Sequence, residues 1–479
     1  MLHDTPDEPT LRRRLAEAGQ DHVLRFWGDL AEDSRRRLLA QLADIDFPLL
    51  ARLIDEHVTN AKPVEMPRDL EPAPFIALPA SDADHQRRRR MHDLGEELLA
   101  AGKVAALVVA GGQGTRLGWP EPKGTYAIGP IGDRTLFGVF ADGIAAARRA
   151  YGVAIPWYIM TSEATDGPTR DFFREHNYLG LPPDDVRFFV QGMMPAVDFE
   201  GKLILEAPDS LARNPNGHGG TLPALAHEGV LADMRRRGIE YLSYFQADNP
   251  LVPPLDPVFI GYHADAASDM SSKMARKRDA AEKVGVFCTS HRALHVIEYS
   301  DLPDDLAGQR VGKNLRFEAG SIAIHILSRT FVERLTAGER LALPFHQAVK
   351  TIPCADGAGK TAEPAEPNGV KFEMFIFDAL PLADNPVVLE IDRAREFSPV
   401  KNAEGEDSPA TARRALAALD AARLEQAGVH VPRDADGQPT VKVQINPLAA
   451  RTAEDLKALL ARRGITELTS DLYLGPDDE

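Results

Sequence analysis

The chain has 479 residues, 44% of them hydrophobic and 27% charged, which is length and composition for two or three soluble domains with a substantial core. Its 55 Lys and Arg stand against 72 Asp and Glu, a formal net charge of −17. Such a surface repels nucleic acid and anionic membranes, so no partner of either kind is expected and any anionic substrate must be held by local cations.

Two cysteines, Cys288 and Cys354, lack metal-ligand spacing, which argues against a disulfide framework and fits a reducing compartment. The opening MLHDTPDEPT has no apolar signal-peptide core, and no stretch reaches the length of a membrane span. A cytoplasmic protein is expected.

Residues 11–57 read as helices, with Leu24, Phe26, Trp27 and Leu30, then Leu38, Leu39, Leu42 and Leu49, at helical spacing. A proline-punctuated link follows over 62–79. Arg87 to Arg90 lead into another helical stretch at 91–101 and read as a solvated helix face.

From Val104 the pattern becomes strand, helix, strand. The candidate strands are Val104–Val109, 156–160, Val186–Val190, 241–245, 284–288 and 321–326, with helices between them, for example 137–151 and 221–236. This alternation predicts an α/β fold with a mostly parallel sheet covered on both faces, whose ligands bind beyond the carboxyl ends of the strands.

The loops at those ends carry the chemistry. Val104–Val109 empties into a turn with Gly111, Gly112 and Gly114, followed by Arg116 and Lys123. Glycines there let backbone N–H groups approach an anion, and two cations face it, so a nucleoside triphosphate site is expected. The P-loop pattern fails because Trp119 follows Gly118, and the dinucleotide pattern fails because Leu117 fills its last glycine position.

Gln191, just past Val186–Val190, offers the donor and acceptor of an amide for a nucleobase edge, although a loop glutamine in solvent reads the same. A second glycine-rich loop runs from Asn214 to Gly220. Asp248, past 241–245, suits Mg²⁺, but a turn-forming Asp-Asn-Pro looks alike. After a Gly- and Pro-rich loop at 356–369 come Lys371 and Phe375-Ile376-Phe377, a strand at 387–391, and the exposed loop Glu396-Phe397-Ser398-Pro399-Val400-Lys401-Asn402. Helices at 410–426 and Ala453–Arg463, with a short strand at 441–445, close the chain.

The run Gly111-Gly112-Gln113-Gly114-Thr115-Arg116-Leu117-Gly118, with Pro122-Lys123-Gly124, resembles the nucleotidyltransferase loop of the UTP:sugar-1-phosphate uridylyltransferases, in particular the UDP-N-acetylhexosamine pyrophosphorylases. Further matches in order are Gly19-Gln20-Asp21-His22 with Phe26-Trp27, Gln191 to Pro195, Pro215 to Gly220, Asp248-Asn249, Val296 to Tyr299, Phe317 to Gly320, Phe375 to Asp378, and Glu396 to Ala403. Ordered matches over some 400 residues are far more specific than one motif.

The resemblance implies a helical N-terminal region (1–95), a Rossmann-like catalytic domain (96–385) and a small C-terminal α+β domain (386–479). It implies UTP and a hexose-1-phosphate as substrates, most of all N-acetylglucosamine-1-phosphate, and UDP-sugar and pyrophosphate as products. It further implies that Val109, Ala110, Gly111, Gly112, Gln191 and Gly217 hold the nucleotide, Lys123 and Lys371 its phosphates, and that Arg116 meets the triphosphate. Glu298 and Tyr299 would hold the sugar, Lys401 its phosphate, and Asp248 the Mg²⁺.

Two positions near the sugar depart from the family pattern. His218 and Ser321 stand where the hexosamine enzymes show Asn, and the change in donor and acceptor geometry bears on which hexose is used. Glucose-1-phosphate or another hexose-1-phosphate is the alternative substrate. A glycosyltransferase would want Asp-x-Asp where Asn249 and Pro250 follow Asp248, and a non-catalytic UDP-sugar sensor would have no need of Arg116, Lys123 and Lys401.

Overall fold

In the computed structural model, which describes residues 7–61, 69–338 and 343–476, the apolar run Val104–Val109 is a strand whose first five residues are buried. Val104 to Val108 are each no more than 1% exposed, as a strand covered on both faces requires. It lies in a ten-stranded sheet. In chain order the strands are β1 (Glu71–Pro72), β2 (Val104–Val109), β3 (Trp157–Thr161), β4 (Val186–Val190), β5 (Tyr241–Gln246), β6 (Met270–Arg276), β7 (Val286–Ser290), β8 (Ala293–Ile297), β9 (Ala319–Ser328) and β10 (Val387–Glu390).

β5, β2, β3 and β4 are consecutive parallel neighbours. This parallel half gives the fold its Rossmann-like character and directs the loops after β2, β3 and β5 to one end. β9 joins β5 antiparallel and carries β6 and β7, while β10 adds to β6 in parallel. Helices Leu136–Tyr151, Glu163–Glu175 and Pro257–Asp265 pack around the sheet. Phe137, Trp157 and Phe173 meet edge to face, with ring centroids 5.2–6.1 Å apart.

The predicted helix 221–236 is two helices, Thr221–His227 and Val230–Arg237, because Gly229 takes a left-handed φ of 70° between them. β6 is not among the strands expected from the sequence. Its residues MSSKMAR lack an apolar pattern, yet the first six are buried. Tertiary partners make this possible: His263 bonds Ser271 (2.8 Å), His325 bonds Ser272 (2.8 Å) and Asp256 pairs with Lys273 (2.6 Å).

Contacts divide the chain into two compact units, one of 1–66, 191–221 and 341–378, the other of 67–190, 222–340 and 379–479. These units cut across the linear order of the sequence. The first contains helices Glu8–Glu17, Glu32–Ala43 and Phe47–Ile54 together with short hairpins, among them His346–Lys350 paired with Gly369–Glu373. Its Gly19-Gln20-Asp21-His22 motif is a structural clamp. Gln20, 4% exposed, donates to the Gly201 carbonyl (2.8 Å) and accepts the Leu203 N–H (2.9 Å), while the His22 ring bonds the Leu203 carbonyl (2.8 Å).

The second unit contains the ten-stranded sheet and, beyond it, a separate apolar cluster. That cluster gathers Leu424, Val431, Val443, Leu456, Leu460 and Leu474 between helices Pro409–Gln426 and Ala453–Arg463 and the parallel strands Val443–Ile445 and Leu472–Leu474. The 62–68 part of the expected proline-rich link lies outside the described residues. Beyond it, β1 pairs with β7 and Ile76 bridges Leu389. No helix among the described residues is long and apolar enough to cross a membrane.

Candidate active site

The glycine-rich turn after β2 is closed on itself. Gly114 N–H donates to the Glu121 carbonyl (3.0 Å) and Lys123 N–H to the Gly112 carbonyl (3.1 Å), so the chain folds back and returns Lys123 to the glycine pair. Gly114 is required sterically, since a Cβ there would stand 2.8 Å from the Trp119 side chain. Ser162 Oγ, just past β3, donates to the Gly111 carbonyl (2.9 Å), and Ala247 N–H, just past β5, to the Val109 carbonyl (3.1 Å). The ends of three parallel strands thus hold the turn. Arg116 stands exposed on its Thr115–Leu117 helical turn.

Asp248 and Lys401 come to the same place. Val400 N–H donates to the Asp248 carbonyl (2.8 Å), and Lys123 Nζ donates to the Val400 carbonyl (3.2 Å). Burial pushes the Lys123 ammonium below the usual lysine range; Asp248 opposes this, and Arg116 and Lys401 add to the lowering. Arg116, Asp248 and Lys401, nominated from three stretches of sequence, therefore all act on Lys123 here.

Glu298 and Tyr299 follow β8, and Ser321 lies in β9. Gly285 is the common neighbour of Glu298 and Ser321. Its carbonyl accepts the Ser321 N–H (2.8 Å), and a Cβ on it would stand 3.2 Å from Glu298 Oε1. The register of β6 and β9 shifts between Ser272 and Met274, opposite Ala323 with its φ of 54°, so a bulge directly follows Ser321.

Four nominated residues belong to the other unit. Gln191, 6% exposed, directly follows β4. Lys371 is half-buried in the strand Gly369–Glu373. Gly217 has a φ of 82°, and a Cβ on it would lie 2.4 Å from the Met374 carbonyl oxygen. Gly217 and Gly219 thus serve approach to the backbone of Met374 and Phe375, where Gly219 N–H also bonds the Met374 carbonyl (2.8 Å).

The His218 ring stacks on Phe375 at 5.4 Å, and its Nδ1 accepts the Ile376 N–H (3.1 Å). With Nδ1 accepting, the neutral ring carries its proton on Nε2 and offers a donor. Desolvation, with a smaller contribution from His346, pushes the pKa down to about 4. The unfolded chain binds this proton first, so the group's share of stability is present above pH 6.5 and lost as pH falls toward about 4. A nitrogen NMR titration is expected to show the Nε2–H tautomer, with no transition at the ordinary 6.5.

A family model described as UTP–glucose-1-phosphate uridylyltransferase matches residues 76–444. The chain belongs to this family. Human UDP-N-acetylhexosamine pyrophosphorylase-like protein 1 is 39% identical over 502 aligned residues, covering 98% of this chain and 97% of the relative. The UDP-N-acetylglucosamine pyrophosphorylase of Saccharomyces cerevisiae is 36% identical over 438, covering 88% and 92%. The solved structure of the UDP-N-acetylglucosamine pyrophosphorylase of Trypanosoma brucei, in complex with inhibitor, matches with a TM-score of 0.83 at 26% identity, over the whole of both chains.

Within this uridylyltransferase fold two further residues matter: Ser162, which holds the glycine turn, and Asn249, which the sequence shows as part of an Asp-Asn turn and motif but not in a role of its own. A serine at a strand's end carries no signal of its own. The Asp-Asn dipeptide does, because an amide that closes a loop belongs beside it. Among the described residues no group of three or more His, Cys, Asp or Glu is gathered for a metal.

Proposed function

We propose that the protein joins UTP and N-acetylglucosamine-1-phosphate to give UDP-N-acetylglucosamine and pyrophosphate. The observation that supports this most is the closure of Lys123 and Asp248 on Val400, which gathers Arg116, Lys123, Asp248 and Lys401 at the glycine turn. Relatives named for this reaction along most of the chain support the choice of sugar.

In this reading an oxygen of the sugar phosphate attacks the α-phosphorus of UTP, and pyrophosphate leaves with the electrons of the broken P–O bond. The sugar phosphate is ionised near neutral pH, so no general base is needed. The work is to align two anions that repel and to stabilise charge on the leaving group. Backbone from Val109 to Gly112 lines the nucleotide; the family resemblance alone assigns Gln191 and Gly217 to the base and Lys371 to the phosphates. Arg116 and Lys123 meet the triphosphate, Lys401 holds the sugar phosphate, and Glu298, Tyr299 and Ser321 read the sugar, to which the family resemblance alone also assigns His218.

A lone carboxylate at a strand end suits Mg²⁺, which takes one or two protein carboxylates and completes its shell with phosphates and water. Asp248 would hold the ion, which when bound neutralises charge on the phosphates.

Pyrophosphate release from UTP, measured over a panel of sugar-1-phosphates, tests the substrate. The expected highest kcat/KM is with N-acetylglucosamine-1-phosphate. A preference for glucose-1-phosphate moves the assignment to that hexose, and no release with any pair leaves a sensor. The pH profile tests Lys123. Its ammonium is the active form, so kcat/KM for UTP is expected to fall as pH rises through a value below the ordinary 10.5, and Lys123→Arg to lack that alkaline limb.

A further inference from the structure

The 396–401 segment reaches Asp248 because something holds its start. Asn249, 4% exposed, spends both ends of its amide there. Its Nδ2 donates to the Glu396 carbonyl (2.7 Å), and its Oδ1 accepts the Ser398 N–H (3.1 Å). One side chain thus spans the point where the short helix Arg393–Glu396 ends and extended chain begins at Phe397, φ −141°. A carboxylate in its place lacks the donor, and a hydroxyl is too short to reach both partners.

Behind it lies a buried charge cluster. Lys273, 1% exposed, pairs with Asp256 (2.6 Å) and with the Glu396 carboxylate, above the ring of Phe259. Asp256 also accepts the Val258 N–H (3.0 Å) and so starts the helix Pro257–Asp265. On the far side, the N–H groups of Lys401 and Asn402 both donate to the Asp407 carbonyl, at 2.6 and 3.0 Å. The backbone of Lys401 is therefore fixed from before and after.

We propose that Asn249 is a positioning residue that, with the Lys273–Asp256–Glu396 cluster behind it, seats the 396–401 segment so that Lys401 is delivered beside Asp248 and Lys123. The inference rests on the role given to Lys401 above. It makes Asn249 act through Lys401 and not on the nucleotide.

The test combines kinetics of Asn249→Ala, Lys401→Ala and the double variant with backbone hydrogen exchange. Asn249→Ala is expected to raise KM for the sugar phosphate and lower kcat/KM for it by about 10- to 100-fold, the scale of a small misplacement of a catalytic group, with KM for UTP nearly unaltered. Exchange over 396–401 should quicken while the rest of the sheet keeps its protection. In the Lys401→Ala background the Asn249 substitution should add almost nothing. A full additive loss in that background, unaltered exchange over 396–401, or a loss confined to UTP overturns the proposal. Failure of the underlying reading shows separately, as a Lys401→Ala variant with parental turnover.

Discussion

Lys123→Ala is expected to lower turnover with UTP by about 10²–10³-fold, the cost of removing one fixed electrostatic stabiliser from a reaction centre. The position of this lysine gives the reason. Its N–H is bonded to the Gly112 carbonyl and its ammonium to the Val400 carbonyl, so it is held at both ends before substrate arrives. A held cation needs no reorganisation when charge builds on the leaving pyrophosphate. Because the turn is also closed by Gly114 and Glu121, the variant should keep its fold, and an unaltered thermal midpoint beside lost turnover separates chemistry from stability. Near-full turnover in Lys123→Ala contradicts the assignment.

Lys273→Met is expected to destabilise the protein by about 3–5 kcal/mol in urea unfolding, the range for removing one partner of a buried ion pair. Burial alone would lower the pKa of this ammonium, but Asp256 and Glu396 hold it above its usual range. Take the lysine away, and two carboxylates face each other with little water. Adding Asp256→Asn and Glu396→Gln should recover part of the loss, because no unpaired charge then remains. A loss below about 1 kcal/mol in Lys273→Met would mean that water reaches the cluster and that its charges stabilise little.

The contrast between β2 and β6 shows what can be read from sequence. Six apolar residues ending in glycines announce a buried parallel strand, and the structure places β2 over the same six residues. β6 is as deeply buried, yet its serines and lysine belong inside only because His263, His325 and Asp256 come to meet them from distant segments. No local pattern holds that information. The same division runs through the site. The cations and Asp248 were legible because phosphate chemistry selects their types and strand ends select their places. Asn249 and Lys273 act on other protein groups: the Asp-Asn dipeptide marks a turn, but their shared partner Glu396, 147 and 123 residues away, leaves no mark near either. The glycine density of the second loop is visible in the sequence, but what Gly217 and Gly219 approach, the backbone of Met374, is not.

The central claim is transfer of the uridylyl group from UTP to N-acetylglucosamine-1-phosphate, and phosphorus NMR of the two substrates with the protein and Mg²⁺ tests it most directly. The predicted result is the loss of both substrates together, with UDP-sugar diphosphate resonances and free pyrophosphate rising in equal amounts, and no change when either substrate is left out. UTP that stays intact in the full mixture, or that is cleaved to the same extent without the sugar phosphate, would contradict it.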